Sequence, residues 1–455
     1  MDYYLKHNTH KEHKNFMFYV RHFSRIFIGI LFIFSGYVKA VDPFGGALKF
    51  EEYFASFGMD FFAPLSMAFS LLLNAAEFVI GFALLFGIQM QLFAWALLLF
   101  MAFFTLLTFW LAYALDIVNL INSVFNTNYQ IFVVTDCGCF GDFITLSNKE
   151  TFYKNIFFLF FTLIILIERN RYKKQSLLYI TQWFPLLIGI IVVFFIQIHC
   201  LRHEPWHDFR PWKKGNFIAA ETYSEAPKMD YVFLYKHNKN KSIKELNVDE
   251  LMKLSEDSLK SIEFENNYTY VDRTEKIITP GINAKLADFS IIDITNNTDL
   301  KESIIEQNGY HFILIIHDIS KANLSNFDEI NELATQCINN SIPFIAVTGS
   351  TIKEIEEFKT KHKIDFHFYF SDETPLKTAI RNNPGLVLLN DGYVVEKWSF
   401  RDIPSYDTFQ LSIDKYNQKI KRYKIKKPPI LPNGLNLDSI HHMKSINIPD
   451  SITHE

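Results

Sequence analysis

The sequence predicts a multi-domain chain, an α-helical transmembrane bundle with five spans followed by an extramembrane α/β domain. Three observations predict it. Residues 16–200 carry long apolar runs, whereas 201–455 read as an ordinary polar globular sequence, so the overall 49% hydrophobic and 21% charged residues average two unlike halves. The apolar runs approach the roughly 20 residues that cross a hydrocarbon core. In the second half, short apolar strands alternate with helical stretches, the pattern of an α/β fold.

Residues 1–25 are polar and basic, with Lys6, Lys11, Lys14, Arg21 and Arg25, and are expected as a cytoplasmic N-terminus. No small-residue cleavage site follows, so the first apolar run reads as a span and not a signal peptide. That run, Ile26–Val38, makes only about 20 Å of helix against a core of about 30 Å. It spans if Arg25 and Lys39 snorkel, or if Lys39 faces the bundle interior. The second run, Leu65–Gly87, carries Asn74 and Glu77 near its middle. An ionised glutamate there costs about 2.5–3.5 kcal/mol, so Glu77 must face other helices, pair, or stay protonated. Either an interhelical hydrogen bond or a proton or quinone contact fits.

The third run, Leu92–Leu115, is uncharged. Loop 116–150 follows, then a fourth run, Phe152–Ile167, with Lys154 at its entry. The basic residues Arg169, Arg171, Lys173 and Lys174 precede a fifth run, Leu177–Cys200, in which Pro185 is expected to produce a kink. Four crossings separate the basic N-terminus from the Arg169–Lys174 loop, so both fall on the cytoplasmic side by the positive-inside rule. Loops 38–64 and 116–150, and everything after Cys200, then lie on the periplasmic side of a bacterial inner membrane, where cysteine pairs can cycle as disulfides.

Loop 116–150 holds Asp136-Cys137-Gly138-Cys139-Phe140-Gly141-Asp142, with two of only four cysteines in the chain. Gly138 permits the bend that brings residues i and i+2 within disulfide reach. Such a bridge stabilises little. The loop-entropy relation gives about 1.6 kcal/mol for a three-residue ring, against about 3 for fifteen residues, and strain makes a small ring easily reduced. Thiol redox exchange is therefore the leading reading of Cys137 and Cys139. A tight loop of inert cysteines, or a metal site completed by Cys200, His203 or His207, are its alternatives. Asp136 and Asp142 are expected to oppose thiolate formation if they lie close.

These first two hundred residues resemble the DoxX/MauE group of redox-associated bacterial membrane proteins. The resemblance rests on Phe34-Ser35-Gly36-Tyr37-Val38-Lys39 running into Asp42-Pro43, on Glu77 with Gly81 and Gly87, and on Cys137-Gly138-Cys139-Phe140-Gly141. It covers about residues 20–170 and implies a four-helix bundle tied to disulfide formation or to electron transfer involving quinone. The fifth span and the large second half depart from that pattern. They are similar to Bacteroidetes-type DoxX proteins, including the segment Asp208-Phe209-Arg210-Pro211-Trp212-Lys213. By chemistry alone, Trp206, Arg210, Trp212 and Lys213 suit a lipid headgroup boundary.

Residues 201–283 read as a juxtamembrane segment and a β-rich connector, with Tyr231–Tyr235 as a strand and His237–Lys241 as a turn. From there the spacing predicts strands at Asp288–Ile292, Phe312–Ile316, Phe344–Val347, Phe366–Phe370, Leu386–Leu389 and Tyr393–Trp398. Helices are predicted at 326–338 and 351–361, and Asn390-Asp391-Gly392 marks a hairpin. This order resembles the thioredoxin fold over about 284–420, with Pro384 where that family keeps a cis-proline. The place of its CxxC reads His317-Asp318-Ile319-Ser320-Lys321-Ala322-Asn323 without cysteine, so the domain is expected to bind or position and not to carry redox chemistry. Cys337 is expected as a buried small hydrophobe. Residues 421–455 read as a disordered tail.

A net charge of −4 with no basic stripe gives no footing to nucleic-acid binding. No Walker loop, HExxH or GxSxG supports nucleotide, metalloprotease or serine-hydrolase chemistry. The function that fits is thiol–disulfide exchange or quinone-linked electron transfer at the periplasmic face, through Cys137 and Cys139 with Glu77 as a proton site. A membrane scaffold whose C-terminal domain holds a periplasmic client, or a structural metal site, is the alternative.

Overall fold

The computed structural model describes residues 2–172, 183–223, 227–256, 258–279, 284, 286 and 288–426. Helix α1 (Asp2–Ala40) is continuous from the polar N-terminus into the first span. The basic stretch expected as a separate N-terminus is therefore helical, because nothing between Asp2 and Ala40 breaks the helix. A short interhelical turn leads to α2 (Pro43–Ser56), whose first residue is proline and whose Asp42 cap accepts from Gly45 N, both standard helix starters. A 3₁₀ turn, Asp60–Leu65, follows. Next come α3 (Ser66–Phe86), α4 (Met90–Phe125), α5 (Asn148–Ile167) and α6 (Phe184–Arg202).

Five of these helices are long and apolar enough to cross a membrane. Ile28, Leu84, Ala94, Leu97 and Ile165 form their buried core, while Leu99, Phe103 and Leu106 face outward, as lipid-facing residues do. Helices α1 and α3 approach each other closely. A Cβ on Gly36 would lie 2.7 Å from Phe78 N, and one on Gly81 2.6 Å from Ile33 N, the small-residue contact that lets membrane helices meet backbone to backbone. Two expectations change. Helix α4 runs about three turns beyond Leu115. Pro185 stands in the first turn of α6, where its missing N–H costs nothing, so it starts a helix and introduces no kink. Of the fifth run and the basic loop, residues 173–182 lie outside the described residues.

The C-terminal domain is a six-stranded sheet in the order β4-β7-β6-β5-β8-β9, preceded by α7 (Ile218–Thr222) and a smaller sheet. That smaller sheet is β1 (Lys228–His237), β2 (Ile243–Asn247) and β3 (Tyr268–Thr279), with α8 (Val248–Glu256) and α9 (Ser258–Asn267) between β2 and β3. The large sheet comprises β4 (Ile292–Asp293), β5 (Tyr310–Ile316), β6 (Phe344–Thr348), β7 (His367–Phe370), β8 (Gly385–Asn390) and β9 (Tyr393–Ser399). Strands β5, β6 and β7 are parallel, and the β8–β9 hairpin is antiparallel. Helices α10 (Lys301–Ile305), α11 (Phe327–Asn339), α12 (Ile352–His362), α13 (Glu373–Ala379) and α14 (Tyr406–Lys426) cover it. The Asn383–Pro384 bond is cis and leads into β8. This is a thioredoxin-like α/β domain.

The strand expected at Asp288–Ile292 shrinks to β4, because Phe289 and Ile291 turn into a core around Trp212 instead of pairing. Helix α14 continues through 421–426, residues the sequence assigns to the tail; 427–455 lie outside the described residues. Cys337 is fully buried among Phe327, Ile330 and Leu333.

The segment Asp208–Lys213 departs most from expectation. Trp212 is fully buried and packs edge-on against Phe289, and Arg210 is 2% exposed. Arg210 pairs with Asp208 at 2.7 Å and Glu204 at 3.0 Å, while Lys397 on β9 pairs with the same two carboxylates at 2.9 and 3.2 Å. Neither Arg210 nor Trp212 meets the headgroup boundary. A buried charge is tolerable only when neutralised by partners, and these four groups balance. Trp206 is half exposed and stacks on His199.

Candidate functional site

The cysteine loop is held at both ends by local chemistry. At its exit, Ser147 and Glu150 form a capping box that starts α5, and Asp136 bridges to Ser147. Within it, Gly138 takes φ +63° and Gly138 N donates to Asp136 Oδ1 at 2.9 Å. Gly141 N returns to Gly138 O at 3.0 Å. This tight turn brings the Cys137 and Cys139 sulfurs to 2.8 Å. The backbone is pinned from two helices: Tyr53 on α2 donates to Cys137 O at 3.0 Å, and Ser35 on α1 to Cys139 O at 2.9 Å.

Behind the loop lies a cavity of about 750 Å³. Its walls are mostly aromatic and aliphatic, including Phe54, Phe69, Phe100, Phe104 and Met101, and its polar groups gather at one end. There Lys39 Nζ meets Glu77 Oε2 at 2.5 Å and donates to Ser35 Oγ at 3.3 Å. Glu77, Lys39, Ser35 and the Cys139 carbonyl thus form one hydrogen-bonded chain. Glu77 is 5% exposed, so the pair resolves both sequence questions at once: Lys39 turns inward instead of snorkelling, and Glu77 is paired. Phe57, Leu72 and Phe103 line the same cavity yet are largely exposed on the bundle surface, which makes an opening on the apolar side.

The two thiols are unlike. The Cys139 thiol sits at about 6, because its hydrogen bond with Cys137 and the ammonium groups of Lys154 and Lys39 outweigh burial and the Glu77 carboxylate. That same hydrogen bond, with burial, pushes Cys137 well up. Lys154 Nζ stands 4.5 Å above the Phe140 ring, beside Cys139. Asp136 and Asp142 do not set these values as the sequence suggests. Lys49 neutralises Asp136 at 3.0 Å, and Arg381 lies 3.8 Å from Asp142. The site thus places two free thiols, one lowered and one raised, at the end of an apolar chamber beside a paired carboxylate.

The C-terminal domain forms part of the same wall. Thr374, Thr378 and Arg381 line the cavity, and Arg381 clasps Asp42. At the position of the absent CxxC, His317 N donates to Asn383 Oδ1 at 3.0 Å and His317 Nε2 to Ile380 O at 2.7 Å. Burial pushes its imidazole down to about 4, so it serves as a neutral brace for the segment before Pro384. Cys200 is buried on α6 among Val193 and Ile196, and Tyr37 takes His207 at 2.7 Å. Among the described residues no three His, Cys, Asp or Glu side chains converge as a metal-holding group.

Sequence reasoning missed Ser35, Tyr53, Lys49, Lys154 and Arg381 as members of the site. Ser35 lies inside the quoted first-helix motif, and Lys154 was visible as a charge entering an apolar run. Nothing local to Arg381 signals its partner.

Residues 17–168 match the family of the methylamine utilisation protein MauE, about a third of the chain. No curated protein matches the chain. The solution structure of a protein described as a thioredoxin, from Neisseria meningitidis, is similar at 13% identity, covering 32% of this chain and 99% of that one with a TM-score of 0.26.

Proposed function

We propose that this chain is a membrane thiol–disulfide redox protein in which Cys137 and Cys139 alternate between dithiol and disulfide. The observation that carries the reading is the sulfur pair 2.8 Å apart at the polar end of an apolar cavity. The match to MauE over 17–168 supports a redox-associated membrane setting, and the finer likeness to DoxX proteins is in keeping with it. The Cys139 thiolate is the nucleophile of the reduced pair and the leaving thiolate of the oxidised one. A client thiolate attacks Cys137 of the oxidised pair, the Cys137–Cys139 bond breaks and Cys139 leaves as thiolate. A second client thiolate then attacks the client sulfur of the mixed disulfide, closing the client disulfide and releasing Cys137, which takes up a proton.

Oxidation of the pair by a lipid-soluble quinone would release two electrons and two protons from the dithiol and form quinol. The apolar cavity, open toward the bundle surface, supports a carrier of that class, and Glu77 with Lys39 supports a proton site beside it. A thiol-bearing periplasmic protein is the client that fits, with the loop on the periplasmic side of a bacterial inner membrane. The basic residues at both cytoplasmic ends support that orientation. A scaffolding role is the second reading. It is favoured by the C-terminal domain, which has no cysteine at its expected active-site place and is seated on the loop.

The test is redox titration of the membrane-bound protein. Equilibrated in graded thiol buffers and alkylated with a mass tag, Cys137 and Cys139 should gain and lose both tags reversibly, with a potential above about −300 mV. Thiols that stay free under every oxidising buffer, or a pair locked against strong reductant, overturn the reading. Full function in a Cys137→Ser, Cys139→Ser chain favours the scaffold.

A further inference from the structure

Strand β3 lies at one edge of the small sheet, whose order is β2-β1-β3. Its inner side pairs with β1, and among the described residues its outer side pairs with nothing. Thr269–Glu275 are exposed, with Tyr270 at 50% and Val271 at 52%. The strand carries four charges at its middle, Asp272, Arg273, Glu275 and Lys276, the usual guard of a natural edge against indiscriminate pairing.

The order of residues along β3 is self-complementary. About Thr274 as centre the charges along the chain are mirrored with inverted sign, Arg273 against Glu275 and Asp272 against Lys276. Opposite charges at facing positions stabilise antiparallel strands. The ladder to β1 skips Val271 and Ile278 and runs unbroken from Asp272 to Ile277. The regular stretch therefore contains the centre and both charge pairs. On one face Arg273 already meets Glu275 at 3.2 Å within the strand, so the two side chains sit where a facing strand would present the opposite sign.

We infer that β3 is a homodimerisation edge, pairing with β3 of a second copy in antiparallel register about Thr274. The result is a continuous six-stranded sheet across a twofold axis, the self-matching contact of symmetric dimers. The charges repel a generic strand and admit one with the inverted order, which is this strand itself. Strand β2 at the opposite edge has only five residues, Ile243–Asn247, and no such symmetry. Two copies held in one membrane meet at raised local concentration, which favours even a single strand pair. This inference stands apart from the redox reading.

The experiment uses full-length protein in membranes. In the proposed register the two Thr274 Cα atoms lie about 4.5–5.5 Å apart, within disulfide reach. A Thr274→Cys chain should therefore cross-link to a dimer under mild oxidant, whereas Ser242→Cys, on the equally exposed β1–β2 turn, should not. Adding Arg273→Glu or Glu275→Arg to the Thr274→Cys chain should each lower the cross-linked fraction at least severalfold. Co-expressing the two charge variants should restore it as a mixed dimer, because each then supplies the sign the other needs. Equal cross-linking at residues 274 and 242, or no recovery on co-expression, overturns the inference.

Discussion

Arg381 holds the Asp42 carboxylate in a fork, Nε to Oδ1 at 3.0 Å and Nη2 to Oδ2 at 2.7 Å. The two residues belong to different domains. Asp42 caps α2 beside the cysteine loop, and Arg381 stands just before Pro384. Together with Thr374 and Thr378 this fork seats the C-terminal domain against the cavity.

That contact should limit access from water. Charge-assisted hydrogen bonds are worth about 1.5–3 kcal/mol each, so Arg381→Ala should raise labelling of Cys139 by a membrane-impermeant maleimide about tenfold or more. Labelling by a permeant maleimide should change little, and Arg381→Lys should fall between. Equal impermeant labelling of the wild type and Arg381→Ala would show that the domain does not shield the pair.

The unequal thiols give a pH signature. In fully reduced protein, alkylation of Cys139 should rise with a midpoint near 6, while Cys137 should react slowly until well above the usual thiol range. Lys154→Gln removes a cation that favours the thiolate, so it should move the Cys139 midpoint upward. Rates of iodoacetamide labelling, read site by site by mass spectrometry, check both. Coincident profiles for the two cysteines would remove the assignment of Cys139 as nucleophile.

Breaking the Lys39–Glu77 pair should destabilise the membrane domain by about 3–5 kcal/mol, the cost of leaving one buried charge unpaired. Replacing both partners should recover much of that, since apolar substitutes for a buried pair are often neutral or better. Lys39→Met with Glu77→Met therefore separates structure from chemistry. Thermal unfolding in detergent should approach wild type, while turnover of the cysteine pair with a quinone should drop. A stable double variant with full turnover would reduce Glu77 to a structural role.

Acid should loosen the C-terminal domain through Asp208. Burial alone would raise its carboxyl, but Arg210 and Lys397 outweigh that and hold it well below the usual range. The folded state thus binds this proton less readily than the unfolded chain. Its contribution is complete above the unfolded carboxylate value of about 4 and is lost as pH falls through the folded one. Between pH 5 and 8 this group should change nothing. Asp208→Asn should cost about 3–5 kcal/mol at neutral pH and flatten the acid limb of a pH series of melting temperatures. An unchanged limb in that variant would assign acid sensitivity elsewhere.

What the sequence made legible was whatever is written locally. Apolar runs revealed the five helices, Asn390-Asp391-Gly392 marked the β8–β9 turn, and the spacing around Pro384 marked the strand that follows it. The cysteine turn was readable because Gly138 and two thiols are adjacent. Partners distant along the chain were not. Glu77 announced that it needed company, yet only the Gly36–Phe78 contact between α1 and α3 decides that Lys39 provides it. Arg210 and Trp212 looked interfacial by residue type. Their burial depends on Lys397 and Phe289, which follow almost two hundred and about eighty residues later in the chain.

The Glu204–Lys213 segment also fixes what can be cut or transplanted. Residues 215–218 extend the large sheet beyond β9, with Gly215 N to Val394 O at 2.8 Å, Val394 N to Asn216 O at 3.0 Å and Ile218 N to Gly392 O at 2.8 Å. A fragment beginning at residue 284 would strip that border from β9, empty the Trp212 pocket and strand Lys397 without a counter-ion. The stalk leaving α6 is therefore an integral piece of the domain it appears merely to carry. A chimaera that keeps the C-terminal domain must inherit the chain from Glu204 onward, beginning two residues past the end of the membrane helix, because Glu204 and Asp208 are the counter-ions of Lys397.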